Sequence, residues 1–250
     1  MDKLYRKNPE NFALAWIGIY CLVQSLANGL SDMIGVPKSA NAVLALVQSG
    51  YMLWWLYKTG LMNRFQLNRP TRSARKMLFY LPLLLVSTSN LWLGIRSTLT
   101  PEELEIHILL MLGVGFLEEL IFRGFLFEAL REKSLKTAVL VSSLTFGAGH
   151  IVNLFNGSGM SVGRVALQIG FAVLFGFLFV MVYLRSGSLI PCILSHQMIN
   201  IFSAFANDQA PVQAHLLVNA VEITVVLGYL AVLVRMPPVK KEEASRDGAA

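Results

Sequence analysis

The sequence predicts an all-α membrane protein, a polytopic bundle of about eight transmembrane helices with both termini in the cytoplasm. Of its 250 residues, 55% are hydrophobic and only 14% are charged, whereas a soluble domain carries about 25% charged residues. Mean hydropathy is +0.57. The apolar residues are grouped in runs of about 20, the length at which a helix crosses the hydrocarbon core of a bilayer. The basic residues between the runs fall mainly on one side.

The apolar runs number eight, and each is predicted to be one transmembrane helix. They cover residues 12–30, 40–57, 77–95, 104–129, 137–155, 164–184, 189–206 and 212–234. Residues 1–236 are therefore predicted to form a single transmembrane bundle. The last segment, 237–250, is largely polar and lacks aromatic residues, which predicts a disordered cytoplasmic tail.

Several runs carry local signals that support these assignments. Trp and Tyr concentrate at membrane interfaces, and they occur here near the predicted cytoplasmic ends of four runs. These residues are Trp16, Trp54, Trp55, Tyr57, Tyr80 and Tyr183. The fourth run opens with Thr100-Pro101-Glu102-Glu103, a pattern that predicts an N-cap, a proline at the first helical position and a capping box. This helix is expected to descend from the outer side to about Leu130. Pro191 is expected in the first turn of the seventh helix.

The distribution of basic residues predicts the orientation of the bundle. Of the 21 Lys and Arg residues, 17 lie in the termini and loops on one side, three lie on the other, and Arg123 falls within a run. Basic loops stay in the cytoplasm, so both termini are predicted to be cytoplasmic. The asymmetry also accounts for the net charge of +6 without a nucleic-acid partner. The expected environment is a lipid bilayer, and the short loops fit a bacterial inner membrane.

Glu118, Glu119 and Arg123 are the most informative residues, because they interrupt the fourth run. Each charge costs roughly 2.5–3.5 kcal/mol at the centre of a membrane helix, so charges persist there only where they face a protein interior or a wet cavity. Glu119 and Arg123 are four residues apart and can form an ion pair on one face. Glu118 lies about 100° around the helix, which leaves it free to act as a general base. The alternative is a purely structural buried salt bridge.

Two further polar stretches occur within apolar runs: Phe146-Gly-Ala-Gly-His150 and His196-Gln-Met-Ile-Asn200. Gly147 and Gly149 are expected to allow close helix approach. Each stretch alone is a weak signal, since a lone histidine is usually a hydrogen-bonded core residue and a His–Asn pair can simply link helices. Together with Glu118, however, they supply a base for water, a partner to orient it, and donors for an oxyanion.

The three stretches at 118–123, 146–150 and 196–200 resemble, in order and spacing, the motifs of the CPBP family. This family includes the type II CAAX prenyl endopeptidases and the bacterial ABI-type homologues. The run Gly187-Ser-Leu-Ile-Pro191 is also similar, and the resemblance covers residues 100–206. It implies an intramembrane endopeptidase that acts on a membrane-associated peptide or protein.

The resemblance also implies a role for each matching residue. Glu118 would be the base, and His150 would help to position the water. His196 and Asn200 would stabilise the oxyanion, while Glu119 and Arg123 would support the site. Members of the family have also been described as metallopeptidases, so Glu118, His150 and His196 could bind a divalent metal such as zinc. Because the sequence contains no His-Glu-x-x-His helix, glutamate-mediated catalysis without a cofactor is favoured.

Two other functions remain open at this point. A catalytically silent scaffold, such as an immunity protein that protects against a peptide, could keep the fold without the chemistry. A proton-coupled transporter could use the same carboxylates and histidines to carry ions, but the sequence shows no internal repeat of the kind that many transporters contain.

Overall fold

The computed structural model describes residues 1–67, 70, 79–156, 159–237 and 239, and it confirms the all-α prediction. The α-helices are α1 (Asp2–Lys7), α2 (Pro9–Ile34), α3 (Ser39–Thr59), α4 (Leu81–Ser87), α5 (Pro101–Glu119), α6 (Glu128–Arg131), α7 (Leu135–Gly149), α8 (Val162–Ser186), α9 (Ile190–Phe202) and α10 (Val212–Arg235). Short 3-10 segments are Ser89–Leu91, His150–Leu154 and Ser203–Phe205. The predicted disordered tail, 237–250, lies outside the described residues except for positions 237 and 239.

Four helical segments are long and apolar enough to cross a membrane, as expected of an integral membrane protein. They are α2, α8, α10 and the segment Leu135–Leu154, which joins α7 to the following 3-10 turn. Every predicted apolar run contains at least one helix. The third run, however, contains only the seven-residue α4 and a 3-10 turn within its described part. Seven residues rise about 10 Å, far less than the ~30 Å of a hydrocarbon core, so the count of eight spans remains a prediction.

The capping box predicted at Thr100 is present at the start of α5. The Thr100 hydroxyl accepts from the Glu103 backbone N–H at 3.3 Å, and the Glu103 carboxylate accepts from the Thr100 N–H at 2.9 Å. Pro101 occupies the first helical position. These bonds satisfy two donors that a helix N-terminus otherwise leaves free. Pro191 likewise lies in the first turn of α9, as predicted.

The helix that begins at Pro101 does not continue as a regular α-helix to Leu130. Its hydrogen bonding changes immediately after Glu119, and Leu120–Phe127 forms a π-helix whose eight residues are all buried. The Ser142 hydroxyl of α7 donates to the Phe122 carbonyl at 2.9 Å, so a side chain from another helix bonds a backbone oxygen within this π-helix. A side chain that inserts into the backbone ladder is a known cause of such a change. Glu118 and Glu119 are therefore the last residues of the regular α-helix α5.

Two glycines allow neighbouring helices to pack closely near the site: α9 against α5, and α8 against α7. A Cβ atom at Gly115 of α5 would lie 2.6 Å from Gln197 Cγ of α9, and one at Gly147 of α7 would lie 2.3 Å from Val173 Cγ2 of α8. Both distances are below van der Waals contact, so only glycine fits this packing. The prediction for Gly149 is wrong, because a Cβ there would meet nothing nearer than 4.0 Å.

Candidate active site

Glu118 and Glu119 are the last two residues of α5, and the helix directs them to different surroundings. Glu119 is completely buried, whereas 13% of the Glu118 side chain is exposed. Glu118 lines a cavity of about 460 Å³ between α2, α5 and α9. The difference follows from the 100° step between successive helical residues, and it separates the carboxylates as the sequence predicted.

The predicted ion pair between Glu119 and Arg123 is present. Arg123 Nη1 lies 3.1 Å from Glu119 Oε1, and neither side chain is exposed. The guanidinium carbon also lies 4.1 Å from the centre of the Phe146 ring, a distance typical of a cation–π contact. None of the three guanidinium nitrogens of Arg123 makes a hydrogen bond with good geometry to the described part of the chain. The Phe179 ring centre lies 5.5 Å from the guanidinium carbon, so the Arg123 charge is compensated mainly by one carboxylate and two aromatic faces.

His196 of α9 lies between the two carboxylates. Its Nδ1–H donates to Glu119 Oε1 at 2.9 Å, and its Nε2 lies 3.6 Å from Glu118 Oε2. The first distance is a hydrogen bond, while the second is too long for one. The Phe179 ring stacks on the imidazole with centroids 5.8 Å apart. Glu119 therefore fixes the tautomer and orientation of His196, and Nε2 faces the base.

Tyr20 is a site residue that the sequence did not reveal. Its hydroxyl, from α2, donates to Glu118 Oε1 at 2.8 Å. The only signal was a tyrosine in the middle of an apolar run, where a buried hydroxyl needs a partner. One Glu118 oxygen is thus held by Tyr20, while the other faces His196 Nε2.

His150 and Asn200 complete the set of predicted site residues. His150 begins the 3-10 turn after α7, and its Nδ1–H donates to the Phe146 carbonyl at 3.1 Å. That bond uses only Nδ1, so the second ring nitrogen, Nε2, is left to bind other partners. The main-chain carbonyl of Asn200 accepts from His107 Nε2 at 2.9 Å. His107 therefore helps to hold this part of α9, which its position near the start of α5 did not suggest.

The structure brings all four predicted catalytic residues to one cavity. Glu118, His150, His196 and Asn200 line the same space of about 460 Å³. Three of these four residues, His150, His196 and Asn200, also line a second cavity of about 270 Å³ that does not include Glu118. These three predicted catalytic residues therefore lie between the two cavities.

The arrangement does not fit a three-ligand zinc site. Among the residues whose placement is described, no group of three or more His, Cys, Asp and Glu side chains could hold a metal ion. Glu118 and His196 approach within 3.6 Å, and the Nδ1–H bond of His150 to its own helix leaves the Nε2 atom of that ring as the nitrogen that could bind a metal. The zinc set considered from sequence is nevertheless not assembled in this conformation.

The comparisons with known proteins agree with the motifs. Residues 101–202 match the protein-family model described as "Type II CAAX prenyl endopeptidase Rce1-like". No curated protein and no solved structure matches the chain in the corresponding comparisons. The matched range runs from α5 to the end of α9 and contains every predicted site residue. The resemblance to the CPBP family seen in the motifs is confirmed over residues 101–202, which match the Rce1-like model of a membrane-embedded peptidase family.

Proposed function

We propose that this protein is an intramembrane endopeptidase that hydrolyses a peptide bond of a membrane-associated peptide or protein, with Glu118 as the base that activates water. One observation supports this most strongly. Of the two adjacent carboxylates, Glu119 is fully buried and bound by Arg123 and His196, whereas Glu118 lines a cavity and has one oxygen free of a hydrogen bond within the described residues. A catalytic base needs such access to water and substrate.

In the proposed reaction, water lies in the cavity between Glu118 and His150. Glu118 takes a proton from this water as the oxygen attacks the peptide carbonyl carbon. The resulting oxyanion accepts hydrogen bonds from His196 Nε2–H and the Asn200 side-chain amide. Glu118 then delivers its proton to the leaving amine, which breaks the C–N bond and restores the carboxylate.

The oxyanion role of His196 requires an imidazolium, because Nδ1–H is already donated to Glu119. A carboxylate next to Nδ1 stabilises the positive form of the ring, as the buried aspartate does in a serine-protease triad. With His196 protonated, the charges of Glu118, Glu119, Arg123 and His196 sum to zero. Neutrality favours this state in a low-dielectric interior. The mechanism uses no metal, so a chelator that removes zinc is expected to leave hydrolysis unchanged.

The membrane arrangement completes the proposal. We infer eight spans with both termini in the cytoplasm, supported by the 17 basic residues on one side against three on the other. The bilayer of a bacterial inner membrane suits the short loops. Fusing a reporter that is active only in the cytoplasm to each loop tests this topology.

The experiment that tests the function compares peptide termini in host membranes from four strains: wild type, deletion, Glu118→Gln and Glu105→Gln. Glu105 is an exposed carboxylate on the same helix, so its substitution controls for the loss of a negative charge from α5. We expect the same cleaved termini to vanish in the deletion and the Glu118→Gln strains, and to remain in the Glu105→Gln strain. Termini that vanish only in the deletion strain would refute the peptidase mechanism and favour a scaffold.

A further inference from the structure

The second cavity, of about 270 Å³, has a feature that the proposed reaction does not use. It is bounded by α8, α9, α10 and the turn Ser89–Leu91. Glu222 of α10 lines it, although this residue is only 8% exposed. Placing a carboxylate inside a predicted transmembrane helix costs free energy, and such residues are usually functional.

Glu222 has little compensation from the protein. Its Oε1 accepts from the Ser89 hydroxyl at 2.8 Å, and this is its only hydrogen bond within the described residues. None of the described Lys and Arg residues lines the cavity. The neighbouring Asn90 uses its amide N–H group to bind the Ile199 carbonyl at 2.9 Å, which leaves the amide oxygen as its acceptor. The polar end of this cavity around Glu222 is therefore rich in acceptors. Among the described lining residues, the one positive charge is that of His196 in its protonated form, which is bound to Glu119.

The rest of the cavity wall is apolar and aromatic. Phe171, Phe175 and Phe179 of α8 face the same space as Glu222. A long basic side chain matches such a shape, because its methylene stem packs against apolar surface while its charged end reaches a polar group. Aromatic faces also attract the cation itself. An acidic or short polar side chain would match neither the wall nor the carboxylate.

The position of the cavity relates it to the proposed chemistry. His150, His196 and Asn200 belong to both cavities, and in the proposed reaction they surround the scissile carbonyl. A peptide bound there can therefore place side chains on either side of this partition. We propose that the second cavity is a substrate subsite that takes a Lys or Arg side chain close to the scissile bond and pairs its charge with Glu222. This inference rests on the proposed peptidase function.

The test measures binding and cleavage separately. Purified protein in lipid nanodiscs, carrying Glu118→Gln so that bound peptides stay intact, is incubated with a randomised library of apolar peptides. Bound peptides are identified by mass spectrometry. The same experiment is repeated with Glu222→Gln, Glu222→Lys or Thr224→Val added to the Glu118→Gln protein. Thr224 is an exposed residue of α10 whose hydroxyl bonds within the helix, so its substitution is the matched control.

We expect Lys- and Arg-containing peptides to be enriched at least about tenfold over apolar ones, as a hydrogen bond between charged groups allows. Glu222→Gln is expected to abolish this enrichment, Glu222→Lys to favour Asp and Glu instead, and Thr224→Val to leave it unchanged. The reversal of preference is decisive, because a misfolded variant cannot gain a new one. Equal selection by all variants, or no peptide binding at all, would overturn the subsite.

Cleavage of the same library by the otherwise unaltered protein separates the two proposals. Binding with a basic preference but without cleavage would refute the peptidase function and leave the binding site in place. Cleavage without a basic preference near the cut would refute the subsite and leave the peptidase in place.

Discussion

The ion pair of Glu119 and Arg123 permits a quantitative test of how the site is stabilised. Substituting Glu119→Gln keeps an acceptor for His196 Nδ1–H but leaves the Arg123 guanidinium fully buried without its anion. Its remaining compensation is the Phe146 ring at 4.1 Å and the Phe179 ring at 5.5 Å, and a desolvated cation–π contact is worth about 2 kcal/mol. Removal of one partner from a buried pair costs about 3–5 kcal/mol. We therefore expect Glu119→Gln to lower the free energy of unfolding by that amount.

The reciprocal substitution is expected to cost less. Arg123→Met leaves Glu119 bound to the His196 Nδ1–H, so the remaining charge is still compensated and the loss is expected to fall below the ~3–5 kcal/mol of an uncompensated buried partner. The double variant removes both charges and keeps the volume. It is expected to lie within about 1 kcal/mol of the unsubstituted protein, because replacing a whole buried ion pair by neutral residues is often close to neutral.

The assay is denaturant unfolding in detergent micelles, followed by the fluorescence of the four tryptophans. Midpoints and slopes for the two single variants and the double variant give the coupling energy. Two results would refute the reasoning. One is a Glu119→Gln protein less than about 1 kcal/mol below the parent. The other is a double variant whose loss equals the sum of the single losses.

Further predictions concern the helix contact and the base. Gly115→Ala is expected to force α9 outward, since its Cβ would lie 2.6 Å from Gln197 Cγ; it should cost about 1–3 kcal/mol in unfolding experiments and slow peptide cleavage by about 10–100-fold. The control Gly228→Ala meets no atom within 4 Å and is expected to leave both unchanged or raise stability slightly. Tyr20→Phe removes the 2.8 Å hydrogen bond to Glu118; we expect it to slow peptide cleavage by about 10–100-fold, because the carboxylate loses the donor that holds one of its oxygens in place. An unchanged cleavage rate for this variant would refute the role of Tyr20.

Much of the fold was predictable because its signals are local. The apolar runs, the cap at Thr100 and the proline at 191 each depend on residues within one turn or one span. The third run is the exception. There the Ser87 hydroxyl bonds the Leu83 carbonyl and Ser89 bonds Glu222, and such polar side chains compete with the helical ladder. Hydropathy averages over these residues and hides the break.

The site was predictable only in part, for the same reason. Glu119 and Arg123 are neighbours on one helix, so their spacing alone gave the ion pair. The bond between Glu119 and His196 joins positions 77 residues apart, and that between Tyr20 and Glu118 joins positions 98 residues apart. Such contacts depend on which helices pack together and at what rotation, which the periodicity of a single helix does not specify.

Tyr20 belongs to α2, and Glu222 belongs to α10. Both lie outside residues 101–202, the range that matches the family model. The central helices bring the reacting groups, while the hydrogen bond on the base and the carboxylate of the second cavity come from flanking helices. Proteins that share this central domain could therefore diverge in cleavage rate and peptide preference by exchanging outer helices alone. A chimera that keeps residues 101–202 and takes α2 or α10 from a relative is expected to catalyse the same reaction. Its cleavage rate or peptide preference is expected to be that of the relative.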